Sequence, residues 1–373
     1  MASAITGSGL WVPEASISNE ELVTSHQRAV ALWNARHAAE IEVGRAEARD
    51  PSTDAWIVRA SGIRRRYVVE KAGVLDPERL RPHLPRRAED ELGIQAEIGV
   101  AAAREALARA GRSGAEVDAV LVACSNLQRP YPAVAIEVQH ALGARGWAYD
   151  LNVACSSATF GIQAAADAIA AGHARCALVL SPELTSGHNN FALREFHFIF
   201  GDACTAVLLE PAGSARPGAF EVLSTRLQTL FSNSIRNDFG FLNPCEDEAR
   251  APEELLFRQN GRQVFREVCP LVSEQILEHL KDEGLAPGEL KRLWLHQANL
   301  GMNELIARTV LGREPKPGEA PVILDEFANT SSAGSVIAFH RYHDDLAPGD
   351  LGVLCSFGAG YSIGSVLVRR LGG

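Results

Sequence analysis

The sequence predicts an α/β fold built from two similar halves. Helical and strand-like segments alternate along most of the chain, as in a sheet that carries helices on both faces. One order of elements occurs twice: a helix over 94–110 leads to a strand over 117–126, and a helix over 272–283 leads to a strand over 290–299. In both places a glycine stands six residues before the strand, where it ends the helix.

A second pair of matching segments supports the same repeat. CSSATFGI begins at Cys155 and TSSAGSVI begins at Thr330, and each continues through a helix to a glycine and an apolar strand. We therefore predict an N-terminal half over 1–212 and a C-terminal half over 213–373. Residues from equivalent loops of the two halves are expected to meet where the halves pack together.

Two segments lie outside this repeat and are interpreted as insertions in the first half. Residues 27–50 are rich in alanine and charge with a helical pattern, and residues 71–92 combine three prolines with many charges. They are either a cover over a pocket or solvated surface elements.

Composition limits the class of protein. Of the 373 residues 46% are hydrophobic, so a large core is available, and the formal charge of −10 disfavours nucleic acid and anionic lipid as partners. No apolar run is long enough for a membrane span, and no secretory signal is recognisable at the start. Seven cysteines without metal-binding spacing indicate reduced thiols and a cytoplasmic protein, and we assign no metal site.

Cys155 is the first candidate for chemistry. It follows a strand-like segment and precedes Ser156 and Ser157, which begin a helix that ends near Gly172. Unpaired N–H groups and the helix dipole at such a position favour a negative charge, so we expect the pKa of this thiol to fall from about 8.5 towards neutrality. The alternative is a buried cysteine that acts as a small hydrophobic residue.

His296 and Asn329 are the second and third candidates. His296 ends the apolar strand LWLHQAN, and Asn329 precedes TSSAG, next to the position that repeats Cys155. Taken alone, the histidine is a polar strand end and the asparagine is a helix N-cap. The repeat brings these strand ends together, and a thiol with two hydrogen-bond donors suits thioester chemistry.

A glycine-rich turn, SFGAGYSIGS over 356–365, completes the set. Gly358, Gly360 and Gly364 allow the backbone to approach a substrate closely. The N–H of Ala359 or Gly360 would form an oxyanion hole with the N–H of Cys155.

These motifs together resemble the β-ketoacyl-acyl-carrier-protein synthase III family of the thiolase superfamily. The resemblance is carried by DLNVACSSATFG, LHQANL, FANTSSAGS and FGAGYSIGSVLVR, and it continues in TDAWIVRASGIRRRYV and FIFGDACTAVLLE. It covers nearly the whole chain apart from the two insertions. It implies a five-layered α-β-α-β-α fold, a homodimer, and acyl-coenzyme A and acyl carrier protein as partners, with no cofactor.

The resemblance also implies a two-stage reaction. Cys155 accepts an acyl group from acyl-coenzyme A while the N–H groups of Cys155 and Ala359 hold the oxyanion. His296 and Asn329 then stabilise the enolate that forms when malonyl-carrier protein loses carbon dioxide, and this enolate attacks the acyl-cysteine. Phe357 corresponds to an apolar wall beside the departing carboxylate.

Binding residues follow from the same resemblance. Trp56 and Arg194 correspond to the two sides of an adenine site, and Ser61 corresponds to a small hydroxyl residue beside coenzyme A; the family's preceding arginine is Ala60 here. Arg258, Arg262 and Arg266 are interpreted as an i, i+4, i+8 stripe on one helix that receives the acidic carrier protein, or else as a solvated face. The arginine that often follows HQANL in the family is replaced by Gly301.

Tyr131 corresponds to a residue that reaches the acyl pocket of the partner subunit. With the insertions, it suggests a variant with a medium-chain primer that makes 3-oxodecanoyl-carrier protein. Two other acyl transfers stay open, namely non-decarboxylative joining of acyl-coenzyme A molecules and acylation of a secondary-metabolite acceptor. A non-catalytic partner subunit is disfavoured because Cys155, His296 and Asn329 are all present. The pathway, primary or secondary, is not indicated.

Overall fold

The computed structural model describes residues 2–372 and consists of thirteen strands and eleven α-helices among those residues. The strands are β1 Ser3–Trp11, β2 Ser16–Ser18, β3 Arg65–Tyr67, β4 Ala119–Ala123, β5 Trp147–Leu151, β6 Ala177–Glu183, β7 Ala203–Pro211, β8 Phe220–Ser232, β9 Ile235–Arg236, β10 Arg258–Gln259, β11 Leu290–Leu295, β12 Leu351–Gly358 and β13 Gly360–Arg370. The helices are α1 Asn19–Arg36, α2 Ala38–Glu42, α3 Asp54–Ser61, α4 Lys71–Leu75, α5 Ile94–Ala110, α6 Val134–Leu142, α7 Ser157–Ala170, α8 Gly261–Asp282, α9 Leu300–Leu311, α10 Leu324–Phe327 and α11 Ala333–Arg341.

Nine strands form one mixed sheet in the order β11-β12-β13-β8-β1-β7-β6-β4-β5. Five of them come from the first half and four from the second. The halves join where Ser3, Ala4 and Ile5 of β1 pair antiparallel with β8. Two short antiparallel pairs, β2 with β3 and β9 with β10, lie outside this sheet.

The molecule has five layers, as the resemblance implied: the strands of each half form one β layer, and helices lie between these two layers and on both outer faces. Helices α7 and α11 lie in the centre and contact strands of both halves. Helices α5 and α6 cover the outer face of the first half, while α8 and α9 cover that of the second. Each interface has its own apolar cluster, and the central one is built mainly from alanine and branched aliphatic residues such as Ala158, Ile162 and Ile337.

The repeat is visible in the helix ends. Helix α5 has the predicted bounds and ends at Gly111 with φ +64°, and the helix of the second half is followed by Gly284 with φ +69°. A residue with a Cβ is strained at such angles, so both helices end where a glycine permits the reversal. Helix α8 begins at Gly261, eleven residues earlier than the predicted start at 272.

The two insertions have different structures. The first is helical as predicted, through α1 and α2, and α1 begins with a capping box in which Ser18 and Glu21 exchange hydrogen bonds. The second contains only α4 as regular structure, and its prolines lie in an irregular segment. Among the described residues, no helix is both long and apolar enough to cross a membrane.

Candidate active site

Cys155 lies at the N-terminus of the central helix α7, as predicted. Ser156 is the N-cap residue, and its hydroxyl donates to the carbonyl of Ser362 at 2.9 Å, which ties the helix start to β13. Ala154, directly before Cys155, adopts φ +47° and turns the chain sharply from the strand into the helix. The residue as a whole is partly exposed, and its side chain lines a cavity.

That cavity brings the three predicted catalytic residues together. Its volume is about 640 Å³, and Cys155, His296 and Asn329 all line it. His296 directly follows β11, and its N–H donates to Cys355 in β12 at 2.8 Å. Two hydrogen bonds position Asn329. Its backbone N–H donates to the carbonyl of Ile199 at 2.9 Å, and its Oδ1 accepts from the N–H of Ser331 at 2.8 Å.

Asn329 does not cap the second central helix, because Ser332 is the N-cap residue of α11. The Oδ1 of Asn329 is occupied by a turn within the segment before α11. The amide Nδ2 has no hydrogen-bond partner among residues 2–372 and belongs to a side chain that lines the cavity. This leaves a carboxamide N–H group available for a substrate oxygen.

The glycine-rich turn lies against the thiol. A Cβ on Gly358 would be 2.6 Å from the Cβ of Cys155 and 3.0 Å from its Sγ, so only glycine allows this approach. The backbone N–H groups of Cys155 and Ala359 both favour a negative charge on the sulfur and lower the pKa of the thiol. Two N–H groups therefore converge on the reacting atom, which is the arrangement of an oxyanion hole.

Burial determines the charge of His296. The ring is 1% exposed, it contacts Phe357 edge to face at 5.2 Å between centroids, and its Nδ1 has no partner among the described residues. Burial lowers the pKa of His296 to about 4, against a smaller opposing effect of the Ser331 backbone. The imidazole is therefore neutral at pH 7 and offers an N–H donor without a charge.

The expectation of a low thiol pKa was wrong for the free protein. Burial raises the pKa of Cys155 to about 11, and the nearby Glu183 carboxylate adds to this rise. The Ser331 hydroxyl and the two backbone N–H groups lower it but do not compensate. The helix start was predicted correctly, whereas the desolvation around it could not be read from the local sequence.

Two site residues were missed by the sequence analysis. The hydroxyl of Ser331 is 3.4 Å from the Sγ of Cys155, so the two repeated strand–helix junctions touch at the thiol. Glu183, fully buried at the end of β6, accepts hydrogen bonds from the N–H and hydroxyl of Ser125 and from the N–H and hydroxyl of Ser332. The TSSAG repeat contained the signal for Ser331, while nothing local marked Glu183.

The predicted adenine site is closed in this structure. The guanidinium of Arg194 lies directly over the ring of Trp56, 4.6 Å from its centroid, and is 3.6 Å from the carboxylate of Asp50. Trp56 and Ser61 line the cavity, but the hydroxyl of Ser61 donates to the carbonyl of Ile57 in its own helix. A base between Trp56 and Arg194 would require the arginine to move away.

The predicted arginine stripe is not one helix face, and this corrects the sequence analysis. Asn260 caps α8, so the helix begins at Gly261 and Arg258 lies in β10, where it pairs with Asp238 at 2.7 Å. Arg262 and Arg266 do share α8, and Arg262 lines the cavity. Neither of these two forms an ion pair with a described residue, so both charges remain available, that of Arg262 at the cavity and that of Arg266 one turn further along α8.

Tyr131 and the insertions lie away from this cavity. The side chain of Tyr131 is 81% exposed, and no residue of 27–50 or 71–92 lines the cavity. Asp50 of the first insertion is 3.6 Å from the guanidinium of Arg194, beside the predicted adenine site. Within one subunit, the insertions therefore do not cover the catalytic cavity.

Comparison with known proteins gives consistent results. A family model described as 3-Oxoacyl-[acyl-carrier-protein (ACP)] synthase III matches residues 149–230, and its C-terminal counterpart matches residues 280–370. The chain is 58% identical over 342 residues to a beta-ketodecanoyl-[acyl-carrier-protein] synthase of Pseudomonas aeruginosa, which covers 91% of this chain and 98% of that protein.

Solved structures share the fold over the whole length. The priming β-ketosynthase of the R1128 polyketide pathway superposes with a TM-score of 0.78 at 25% identity, over 99% of this chain and 96% of the other. A 3-oxoacyl-(acyl carrier protein) synthase III of Pseudomonas aeruginosa gives a TM-score of 0.74 at 25% identity, over 100% of this chain and 99% of the other.

Proposed function

Because the chain belongs to the 3-oxoacyl-acyl-carrier-protein synthase III family, whose reaction is a decarboxylative condensation, we propose that Cys155, His296 and Asn329 carry out this reaction here on a medium-chain primer. The observation that carries the proposal is the convergence of a thiol, a neutral imidazole and a carboxamide on one cavity beside two backbone N–H groups. These are the groups that thioester exchange and enolate formation require.

In the first stage, the sulfur of Cys155 attacks the carbonyl carbon of an acyl-coenzyme A. The carbonyl oxygen becomes an oxyanion held by the N–H groups of Cys155 and Ala359. The carbon–sulfur bond to coenzyme A then breaks, and the thiol proton leaves with the departing coenzyme A sulfur. The product of this stage is an acyl-cysteine.

In the second stage, the malonyl thioester of the carrier protein enters the emptied cavity. Loss of carbon dioxide leaves its electron pair on the adjacent carbon, and His296 and Asn329 donate hydrogen bonds to the thioester oxygen of the resulting enolate. The buried face of Phe357 beside His296 favours the loss of the carboxylate charge. The enolate carbon then attacks the acyl-cysteine, which releases the Cys155 thiolate and the 3-oxoacyl-carrier protein.

The primer is proposed to be octanoyl-coenzyme A. The similar Pseudomonas aeruginosa protein is named for a ten-carbon β-ketoacyl product, and condensation with malonyl contributes two of those carbons. Eight carbons therefore come from the primer. Malonyl-acyl carrier protein is the proposed extender, and Arg262 at the cavity together with the exposed Arg266 one turn further along α8 suits its acidic surface.

We also propose that the enzyme is a cytoplasmic homodimer. Strand β5 ends the sheet and leaves one edge unpaired, and Tyr149 on it is 40% exposed. The exposed Tyr131 fits contact with a second copy at the acyl pocket. All seven cysteines lie in the described residues and are free, which suits a reducing compartment.

Intact-protein mass spectrometry tests the proposal. Incubation with acyl-coenzyme A of 2, 4, 8 and 12 carbons should give the strongest adduct with the eight-carbon primer, and C155A should give none. Adding radiolabelled malonyl-carrier protein should then release labelled carbon dioxide and form a ten-carbon product. An undiminished adduct on C155A would overturn the assignment of the nucleophile, and turnover with two acyl-coenzyme A molecules alone would indicate a non-decarboxylative reaction.

A further inference from the structure

A second cavity, of about 300 Å³, shares no lining residue with the catalytic one. It lies between the start of β1, the end of α5, the connection 212–219 that joins the two halves, and the C-terminal end of β13. Strand β13 runs from Gly360, two residues after the Gly358 that lies against Cys155, to Arg370 in this second cavity. Eleven strand residues span about 35 Å, so the two cavities are separate sites.

Four arginines surround this second cavity, which we call the arginine cavity: Arg109, Arg112, Arg216 and Arg370. Only two carboxylates, Glu210 and Asp344, line it with them. The excess of positive charge contrasts with the formal charge of −10 for the whole chain.

Two of the four charges are already compensated. Arg112 pairs with Glu210 at 2.7 Å, and Arg109 pairs with Glu105 at 3.2 Å. Arg216 and Arg370 have no carboxylate partner among residues 2–372. The guanidinium of Arg370 donates to the carbonyl of His343 at 2.6 Å and lies over the ring of Phe220.

The position of Arg216 depends on a glycine. A Cβ at Gly111 would meet the Nη1 of Arg216 at 2.3 Å, so the guanidinium lies directly against the end of α5. The side chain remains exposed on the cavity side. It is thus placed beside the other arginines without its charge being neutralised by an acid.

The pKa of His343, on the wall of the cavity, responds to the positive charge of these arginines. Burial lowers its pKa, and the charges of Arg109 and Arg370 lower it further, while the Phe339 carbonyl and Asp344 oppose them. The cationic groups therefore face the cavity from α5 and from β13. The hydroxyl residues Thr6, Ser8 and Ser214 also line the cavity, beside the guanidinium groups.

We propose that the arginine cavity binds a small molecule through a phosphate monoester or diphosphate group. Guanidinium groups match phosphate oxygens in a forked geometry, and two uncompensated arginines match two negative charges. The volume is at the lower end of the range for small-ligand sites, which suits one phosphorylated group better than a whole nucleotide cofactor. This assigns a ligand site outside the condensation reaction.

Inorganic pyrophosphate is the probe for the test, titrated by calorimetry at constant ionic strength. The expected result is one site whose affinity falls at least tenfold in R216Q. R145Q serves as the matched control, because Arg145 is exposed and has no ion pair among the described residues. R216K should retain part of the affinity, since the charge remains while the fork is lost.

The catalytic cavity needs its own control, because coenzyme A carries phosphates as well. The double variant R262Q/R266Q should leave pyrophosphate binding unchanged if the arginine cavity is the site. No binding to the wild-type protein, equal loss in R145Q and R216Q, or loss only in R262Q/R266Q would each overturn the proposal. The measurement does not depend on turnover, so its failure is distinguishable from failure of the proposed reaction.

Discussion

The reactivity of Cys155 depends on how far its surroundings stabilise or destabilise the thiolate. Burial and the Glu183 carboxylate disfavour the thiolate, whereas the Ser331 hydroxyl and two backbone N–H groups favour it. The sum raises the pKa to about 11, and the neighbouring His296 stays neutral. The free enzyme therefore holds a neutral thiol, and in the proposed mechanism the same N–H groups stabilise the charge that moves to the substrate oxygen.

This balance predicts the pH dependence of alkylation of Cys155. With a pKa of about 11, the thiolate fraction rises about tenfold for each pH unit below that value. The rate of modification by iodoacetamide, followed by mass spectrometry, should therefore increase steadily between pH 6 and 9. A modification rate that stops rising by pH 7 would show that the helix start lowers the pKa of Cys155 more than burial raises it.

Replacing Glu183 with glutamine should shift that profile to lower pH. The substitution keeps the shape of the buried side chain but removes a negative charge that raises the pKa of Cys155. Alkylation at pH 8 should be several-fold faster in E183Q. E304Q, an exposed charge removal on α9, is the matched control and should leave the profile unchanged. An unshifted profile in folded E183Q would contradict the charge effect.

Asn329 should matter for one stage of the reaction and not for the other. In the proposed mechanism, its Nδ2 donates to the enolate oxygen, while the backbone N–H groups of Cys155 and Ala359 hold the oxyanion of the acylation stage. In N329A, release of carbon dioxide from malonyl-carrier protein should fall about 10²–10³-fold. The acyl adduct on Cys155 should still form, and its loss would indicate a general collapse of the site.

At the scale of single elements, helix α8 separates two groups of arginines that the sequence placed together. Arg262 and Arg266 lie on the helix, with Arg262 lining the cavity, whereas Arg258 lies in β10 and is paired with Asp238. A spacing of four residues is compatible with one helix face but does not show where the helix begins. The N-cap Asn260 sets that start, and a single asparagine is weak evidence in a sequence.

The arginine pair of α8 should contribute to carrier-protein binding. In R262Q/R266Q we expect the KM for malonyl-carrier protein to rise roughly 3- to 10-fold with little change in kcat, and the effect to shrink at high salt. R258Q should behave like the wild type, because its charge already neutralises Asp238. A rise in KM in R258Q equal to that in R262Q/R266Q would show instead that Arg258 takes part in the same docking surface.

At the scale of the whole molecule, the repeat was the most informative feature of the sequence. It predicted the two halves and the meeting of Cys155, His296 and Asn329, and the five layers follow from the family resemblance. Local patterns could not predict contacts that the packing creates, such as Glu183 of β6 against Ser332 of α11. The same limit applies to burial, and so to every pKa in the site.

Burial of histidines predicts how the stability of the whole protein changes with pH. Burial lowers the pKa of four of them to about 4, which are His26, His188, His296 and His340. Above pH 6.5, the usual value of an unfolded histidine, both states are neutral and these groups contribute nothing. As the pH falls from 6.5 to 4, the unfolded chain takes up protons that the folded chain does not, so stability is lost.

Each such histidine should cost about 1.4 kcal/mol of unfolding free energy per pH unit in this window. Asp202 opposes one of them, because burial raises its pKa to about 6 and its proton uptake favours the folded state as the pH falls. Urea unfolding at pH 8, 6.5 and 5 should therefore show little change in the free energy of unfolding between pH 8 and 6.5 and a steep loss between pH 6.5 and 5. H188L, which removes a ring whose two nitrogens have no partner among the described residues, should make the loss shallower by about one proton. A free energy of unfolding that stays constant from pH 8 to 5 would contradict the neutral burial of these rings.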